Sequence, residues 1–239
     1  MATTGALTLG ASGTLYLNGY NQTVSDLTGA AGSAIALGAG TLTAGTASST
    51  TFAGVMSGTG AFVKEGAGTL TFSGLNTYTG GTTINAGTIK LDASSALAGA
   101  TGALTLSAAG TLDLNGFNQT VGDLTGAAGS SILLGAGTLT AGAAASTSFD
   151  GAMSGTGAFV KEGAGTLTLT GTNTYTGGTT VNTGTLRLGA SNLLASTGAL
   201  TLGASGTFDM NGFNQTVGDL TGAAGSAITM GAGTLTAGG

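Results

Sequence analysis

The chain has 239 residues, long enough for one or two domains, with 49 Gly and no Pro, Cys, His or Trp. Nine acidic residues against four basic ones give a net charge of −5, so no basic stripe exists to neutralise nucleic-acid phosphates or to hold an anionic membrane. The Gly content lacks the G-X-Y period and the Pro of collagen, and Leu, Ile, Val and Phe recur too regularly for a disordered chain.

Taken in order, the chain is a series of short alternating runs. Gly-Ala-Leu-Thr-Leu at 5–9 is followed by Thr-Leu-Tyr-Leu at 14–17, and then by Asn18-Gly19. Further runs are Ala-Ile-Ala-Leu at 34–37, Thr-Leu-Thr-Phe at 69–72 and Thr-Ile-Lys-Leu at 88–91. In each run large apolar residues stand at i and i+2, so they share one face of a strand, while Thr and small residues mostly take the other. Nothing between the runs has a helical period. Comparable runs return after roughly 20 residues, the length of one β-helix coil.

A longer period lies over this beat. The opening pentapeptide returns at 102–106 and at 198–202, and the decapeptide at 57–66 returns unchanged at 154–163. The expectation is one continuous β-solenoid over 1–239, built of long repeats at 5–101 and 102–197 with a partial one at 198–239. Each would hold about five coils, giving about 12 coils and a rod roughly 55–60 Å long at ~4.8 Å per coil. A coil turns sharply two or three times, and such turns often need positive φ. Asn18-Gly19, Asn115-Gly116 and Asn211-Gly212 are expected at one corner, Gly80-Gly81 and Gly177-Gly178 at another. The absence of Pro fits a chain in which each coil bonds to the coils above and below.

The stretch 66–89 contains Asn-Thr-Tyr-Thr-Gly-Gly-Thr-Thr at 76–83, and the same octapeptide stands at 173–180. Both stretches closely resemble the autotransporter-associated β-strand repeat, also called the passenger-associated transport repeat. Leu-Asn-Gly-Phe-Asn-Gln-Thr-Val at 114–121 resembles the sequence found between such repeats. The resemblance implies a right-handed parallel β-helix in the secreted passenger of a bacterial surface protein, with a parent outer-membrane β-barrel elsewhere in that protein. It also implies a non-enzymatic stalk or adhesin role at the cell surface. This segment itself is not expected to insert in a membrane or to bind nucleic acid. The N-terminus has no basic region followed by an apolar run, so no signal peptide is read there. No capping coil is evident at either end. The expected partners are therefore the adjoining coils of a longer passenger, or other copies of the chain stacked end to end into fibres.

No catalytic, metal or cofactor residue is assigned. Carbohydrate-active β-helices need convergent carboxylates. Here Asp26, Asp123 and Asp219 repeat one position, Glu65 and Glu162 another, Asp113 and Asp209 a third. The unrepeated Asp92 and Asp150 are expected about three coils apart. Zinc would find neither His nor Cys. Lys64-Glu65 and Lys161-Glu162 read as solvated pairs on a coil edge. Tyr78, Tyr175, Tyr20, Phe117 and Phe213 read as corner aromatics packing in a ladder, and Asn-Gln-Thr at 21–23, 118–120 and 214–216 as turn chemistry. One alternative function rests on Thr-x-Thr pairs at 41/43, 69/71, 138/140, 166/168 and 234/236, which resemble ice-binding rows on a flat β-helix face.

Overall fold

A computed structural model of the chain describes residues 5–97 and 101–238, and these contain strands and turns but no helix. Every strand pairing is parallel. The chain winds as a solenoid with three faces per coil. The first face starts with Leu7–Leu9, the second with Thr14–Tyr16 and the third with Gln22–Val24. Each strand pairs with the strand one coil later: Leu7 with Leu27, Thr14 with Ala34, Gln22 with Leu42. With four long strands spanning two faces each, the described residues wind through about eleven coils.

The core follows from the alternation. On the third face the inward file runs Leu42, Phe62, Thr82, Leu104, Leu124. On the first face Phe52, Phe72 and Leu91 stack in the same way, all fully buried. Such stacking places a side chain every ~4.8 Å along the axis and fills a narrow interior continuously. The rings of Phe62 and Phe72 meet edge to face with centroids 5.4 Å apart.

The expected Asn-Gly turns form, but the three pairs do not share one corner: Asn18 turns from the second face to the third, Asn115 from the first to the second, and Asn211 from the third to the first. Asn18, Asn115 and Asn211 have φ of 53°, 51° and 50°, and the Gly after each is also left-handed. Asn tolerates this conformation because its short amide bonds locally, and Gly because it has no Cβ. Gly81 and Gly178 both have φ of 93°, but Gly81 leads into the third face and Gly178 into the second, so the Gly-Gly pairs do not share a corner either.

Coil length varies, and this reduces the expected 12 coils to about eleven. Most registered partners are 20 residues apart, but Gly29 pairs with Phe52 and Thr88 with Thr111, each 23 residues on. The long repeat consequently spans not five coils but four and two-thirds. Its three starts lie on three different faces: Leu7 begins the first-face column, Leu104 pairs with Thr82 on the third, and Leu200 pairs with Thr179 on the second. Each repeat is turned by a third of a coil relative to the one before. A surface position that recurs every 97 residues therefore spirals round the rod instead of lining up.

Candidate functional site

The Lys, Asn and Tyr of the repeated motif lie inside the coil, while Thr77 and Thr79 beside the first Tyr are exposed. Lys64 occupies the inward file between Ala44 and Ile84, and Lys161 that between Ala141 and Val181. Both are almost fully buried. This corrects the reading of solvated edge pairs. The small Ala one coil earlier leaves room for a long aliphatic stem, and the ammonium turns to the main chain. Lys64 Nζ donates to the carbonyls of Glu65, Gly66 (2.7 Å) and Ala86 (3.3 Å), so all three of its protons find acceptors. Lys161 repeats this with Glu162, Gly163 (2.8 Å) and Thr183 (3.4 Å). Burial pushes both ammonium pKa values below the ordinary 10.5, and the nearby carboxylates Glu65 and Asp26, or Glu162 and Asp123, push partly back. The neighbouring Glu65 leaves its lysine's charge to the main chain and accepts from Asn85 Nδ2 at 2.6 Å.

The Asn-Thr-Tyr-Thr-Gly-Gly-Thr-Thr octapeptide works the same way. Asn173 is buried where the ladder lacks a regular strand, and its carboxamide replaces a peptide group. Its Oδ1 accepts from Met153 N (2.9 Å), and its Nδ2 donates to Leu193 O (3.1 Å) and Gly171 O (3.0 Å). Asn76 bridges Met56 N and Ala96 O in the first copy. The following Tyr projects into the core, and its hydroxyl meets the inward Thr four residues on, at 2.7 Å for Tyr78–Thr82 and 2.6 Å for Tyr175–Thr179. Thr82 thus sits in an apolar file with its hydroxyl satisfied. Burial raises the Tyr175 pKa well above its usual value of 10. Among the described residues no buried side-chain nitrogen or oxygen lacks a hydrogen bond.

The aromatic ladder expected at the corners does not form. Tyr78 and Tyr175 are core residues, and the Tyr175 ring packs against Phe159 at a tilt, with centroids 6.4 Å apart. Tyr20 is 77% exposed, and its counterparts Phe117 and Phe213 fall at other corners because of the one-third-turn phase. The Asn of each Asn-Gln-Thr acts in turn chemistry, as read: Asn21, Asn118 and Asn214 accept the main-chain N–H of Thr41, Thr138 and Thr234.

The acids do not converge. Asp26 accepts from Thr46 and Asp150 from Thr170, while Asp113 and Asp209 accept the amides of Asn115 and Asn211 at corners one long repeat apart. Asp92 follows a first-face strand and Asp150 a third-face strand more than two coils later. Among the described residues no three His, Cys, Asp or Glu side chains gather to hold a metal ion. Arg187 and Asp209 form an ion pair of 2.7 Å between adjacent coils. The Thr-x-Thr pairs are divided among faces: 41/43 and 166/168 on the third, 69/71 and 234/236 on the first, 138/140 on the second. Two outward files are long: one runs Thr120, Thr140, Val160, Thr180, Thr201, Thr221 on the second face, and one runs Thr23, Thr43, Val63, Thr83, Thr105, Thr125 on the third. The file beside the latter is mixed, with Asn21, Thr41, Ala61 and Gly81.

A three-faced parallel solenoid with an interior polar scaffold defines a β-solenoid repeat protein. Residues 62–91 and 159–188 match the passenger-associated-transport-repeat family. These two stretches begin at Phe62 and Phe159 and hold the buried Lys, Asn and Tyr of each copy. The chain thus carries two passenger-associated transport repeats. It is also 38% identical over 231 residues, 93% of its length, to the adhesin BmaC autotransporter of Brucella suis biovar 1 (strain 1330). The chain spans 7% of that protein's length. No solved structure matches it.

Proposed function

We propose that this segment is a non-enzymatic stalk of a surface passenger, carried outside a bacterium by a parent protein with an outer-membrane β-barrel. The observation that carries the reading is where the motif's chemistry goes. The Lys, Asn and Tyr that make the repeat recognisable are buried and hydrogen-bonded to the solenoid's own frame, leaving a ladder of mostly uncharged residues outside. Similarity to a protein named as an adhesin and an autotransporter supports a place in a passenger. At ~4.8 Å per coil, about eleven coils add ~5 nm of reach.

The test places residues 5–238 between an export signal and an autotransporter barrel. The expected result is protease-accessible protein on intact cells, with a rod lengthened by about 5 nm by atomic force microscopy. Protein retained in the periplasm, or a globular species at the surface, would sink the stalk reading. End-to-end assembly of the isolated segment is a second reading. It is favoured by Leu220 and Met230 in the last coil, which are 38% and 40% exposed where their counterparts Leu124 and Leu134 are buried. Long fibres of constant width in negative stain support it, and uniform short rods refute it. Ice binding gains little from two Thr files that stand on different faces, and no thermal hysteresis is expected.

A further inference from the structure

An open groove lies on the first face, where the coil after the second transport repeat leaves the ladder. Asn173 N donates to Leu193 O at 3.0 Å, but Leu194 N donates to the side chain of Gln215 (3.1 Å) in place of a peptide carbonyl. Residues 195–197 then swing outward and close on themselves through Gly198 N to Ala195 O. The strand that would continue the face is missing there, and a groove of about 490 Å³ remains.

Its floor is fixed. Asn173 and Gln215 are both buried, and each bonds to two or more main-chain groups. Leu194, also buried, completes the floor. The rim is different. Thr174, Ser196, Thr197, Thr216 and Asn192 line the groove, and none of these side chains bonds to the protein among the described residues. Hydroxyls nearby are engaged: Ser191 accepts from Asn214 N, and Thr170 donates to Asp150. No lining residue carries a charge.

We propose that this groove binds a neutral oligosaccharide. Four hydroxyls and one carboxamide can each both donate and accept, which matches the alternating hydroxyls of a sugar ring. Anions and cations are poor candidates, because a groove without countercharge cannot compensate their loss of hydration. The volume falls in the ~300–1,000 Å³ range of small-ligand sites and admits a short oligosaccharide. The matching stretch of the first repeat has Ser95 in place of Asn192 and Gly99-Ala100 in place of Ser196, so the polar rim is fullest in the second repeat. This site is independent of the stalk reading: a stalk without it would still extend a passenger.

The test is an NMR titration of the ¹⁵N-labelled full chain with cellotriose, maltotriose and tri-N-acetylchitotriose, using 3′-sialyllactose as the anionic comparison. At least one neutral sugar is expected to shift the amides of Asn192, Leu194, Ser196 and Thr197 saturably. The double variant Thr174→Val/Thr216→Val keeps the shape and removes two hydroxyls, and it should weaken binding by about tenfold or more. Ser196→Trp, on an exposed turn, should block the groove without touching the ladder, and it supplies the answer if the double variant fails to fold. The proposal is overturned if no neutral sugar moves these amides, if 3′-sialyllactose binds more tightly, or if binding survives Ser196→Trp unchanged.

Discussion

Gly126→Ala is a sensitive test of how the core is packed. Gly126 faces Phe149 one coil later, and a methyl placed there would lie 2.5 Å from two ring carbons and 2.9 Å from Ser130 Oγ. Ordinary carbon contacts are ~3.5–4.0 Å, so the overlap is about 1 Å, and the fully buried ring has no free space to retreat into. Overpacking of this kind costs about 1–3 kcal/mol, and the entropy that Ala removes from the unfolded chain returns about 0.4–1. A net loss of about 1–2 kcal/mol is expected from these two terms. Phe149→Leu alone should cost less than the ~3–5 kcal/mol of truncation to Ala. Together the two changes relieve each other, with a favourable coupling of about 1 kcal/mol or more. Gly222 is the internal control, because its added methyl would meet no ring, only the rotatable Ser226 hydroxyl at 2.8 Å. Gly222→Ala should stay within about 0.5 kcal/mol of the parent. Urea unfolding followed by far-UV circular dichroism measures all four chains. Additive losses in the double variant, or equal losses at Gly126 and Gly222, would refute the packing argument.

The buried amides and ionisable groups give further expectations. Asn173→Asp keeps the shape but loses the donors to Leu193 O and Gly171 O, so it should destabilise by about 2–3 kcal/mol. Asn214→Asp, an exposed side chain that only accepts from Thr234 N, should stay within about 0.5 kcal/mol; similar melting losses for the two would count against the peptide-replacement role of Asn173. Stability should also depend on alkaline pH. Lys64 and Lys161 have folded pKa values below 10.5, so as pH rises from those values towards 10.5 the unfolded chain holds more protons and stability increases. Tyr175 acts in the opposite sense above its ordinary value of 10, where the unfolded phenol ionises first. A stability maximum near pH 10 is therefore expected in denaturant midpoints measured against pH, and Lys64→Met/Lys161→Met should abolish the rising limb. A rising limb unchanged in that double variant would refute the assignment to these lysines.

The solenoid was legible because its cause is local. A two-residue alternation between turn residues, returning every 20 or so positions, allows little else, and Asn-Gly marks left-handed corners by backbone chemistry alone. The fate of Lys64 and Lys161 was not legible in the same way. Charge beside charge in Val-Lys-Glu-Gly ordinarily means solvent, and only the parity of the strand and the small Ala one coil away turn the lysine inward. The role of Asn76 and Asn173 depended on which peptide group of a neighbouring coil goes unmatched. The coil count was overestimated for a similar reason: extra residues near 45–49, and a register irregularity opposite Ile84 and Ala86, lengthen single coils without disturbing the repeat. The groove arises at such an irregular coil, so no strand pattern marks it.

The one-third-turn phase also bears on how an array of these units could change length. If recombination removed or duplicated one 97-residue unit, every strand would still find a partner of the right parity, because each face can host each part of the repeat. The solenoid would stay continuous. Everything beyond the junction, however, would be re-aimed by a third of a turn, so that a distal loop once facing away from the membrane-proximal features would come round to another side. Only changes in multiples of three units would preserve bearing as well as continuity. Length and direction are thus coupled in this architecture, and variants differing by one unit would present the same surface chemistry to a different quarter.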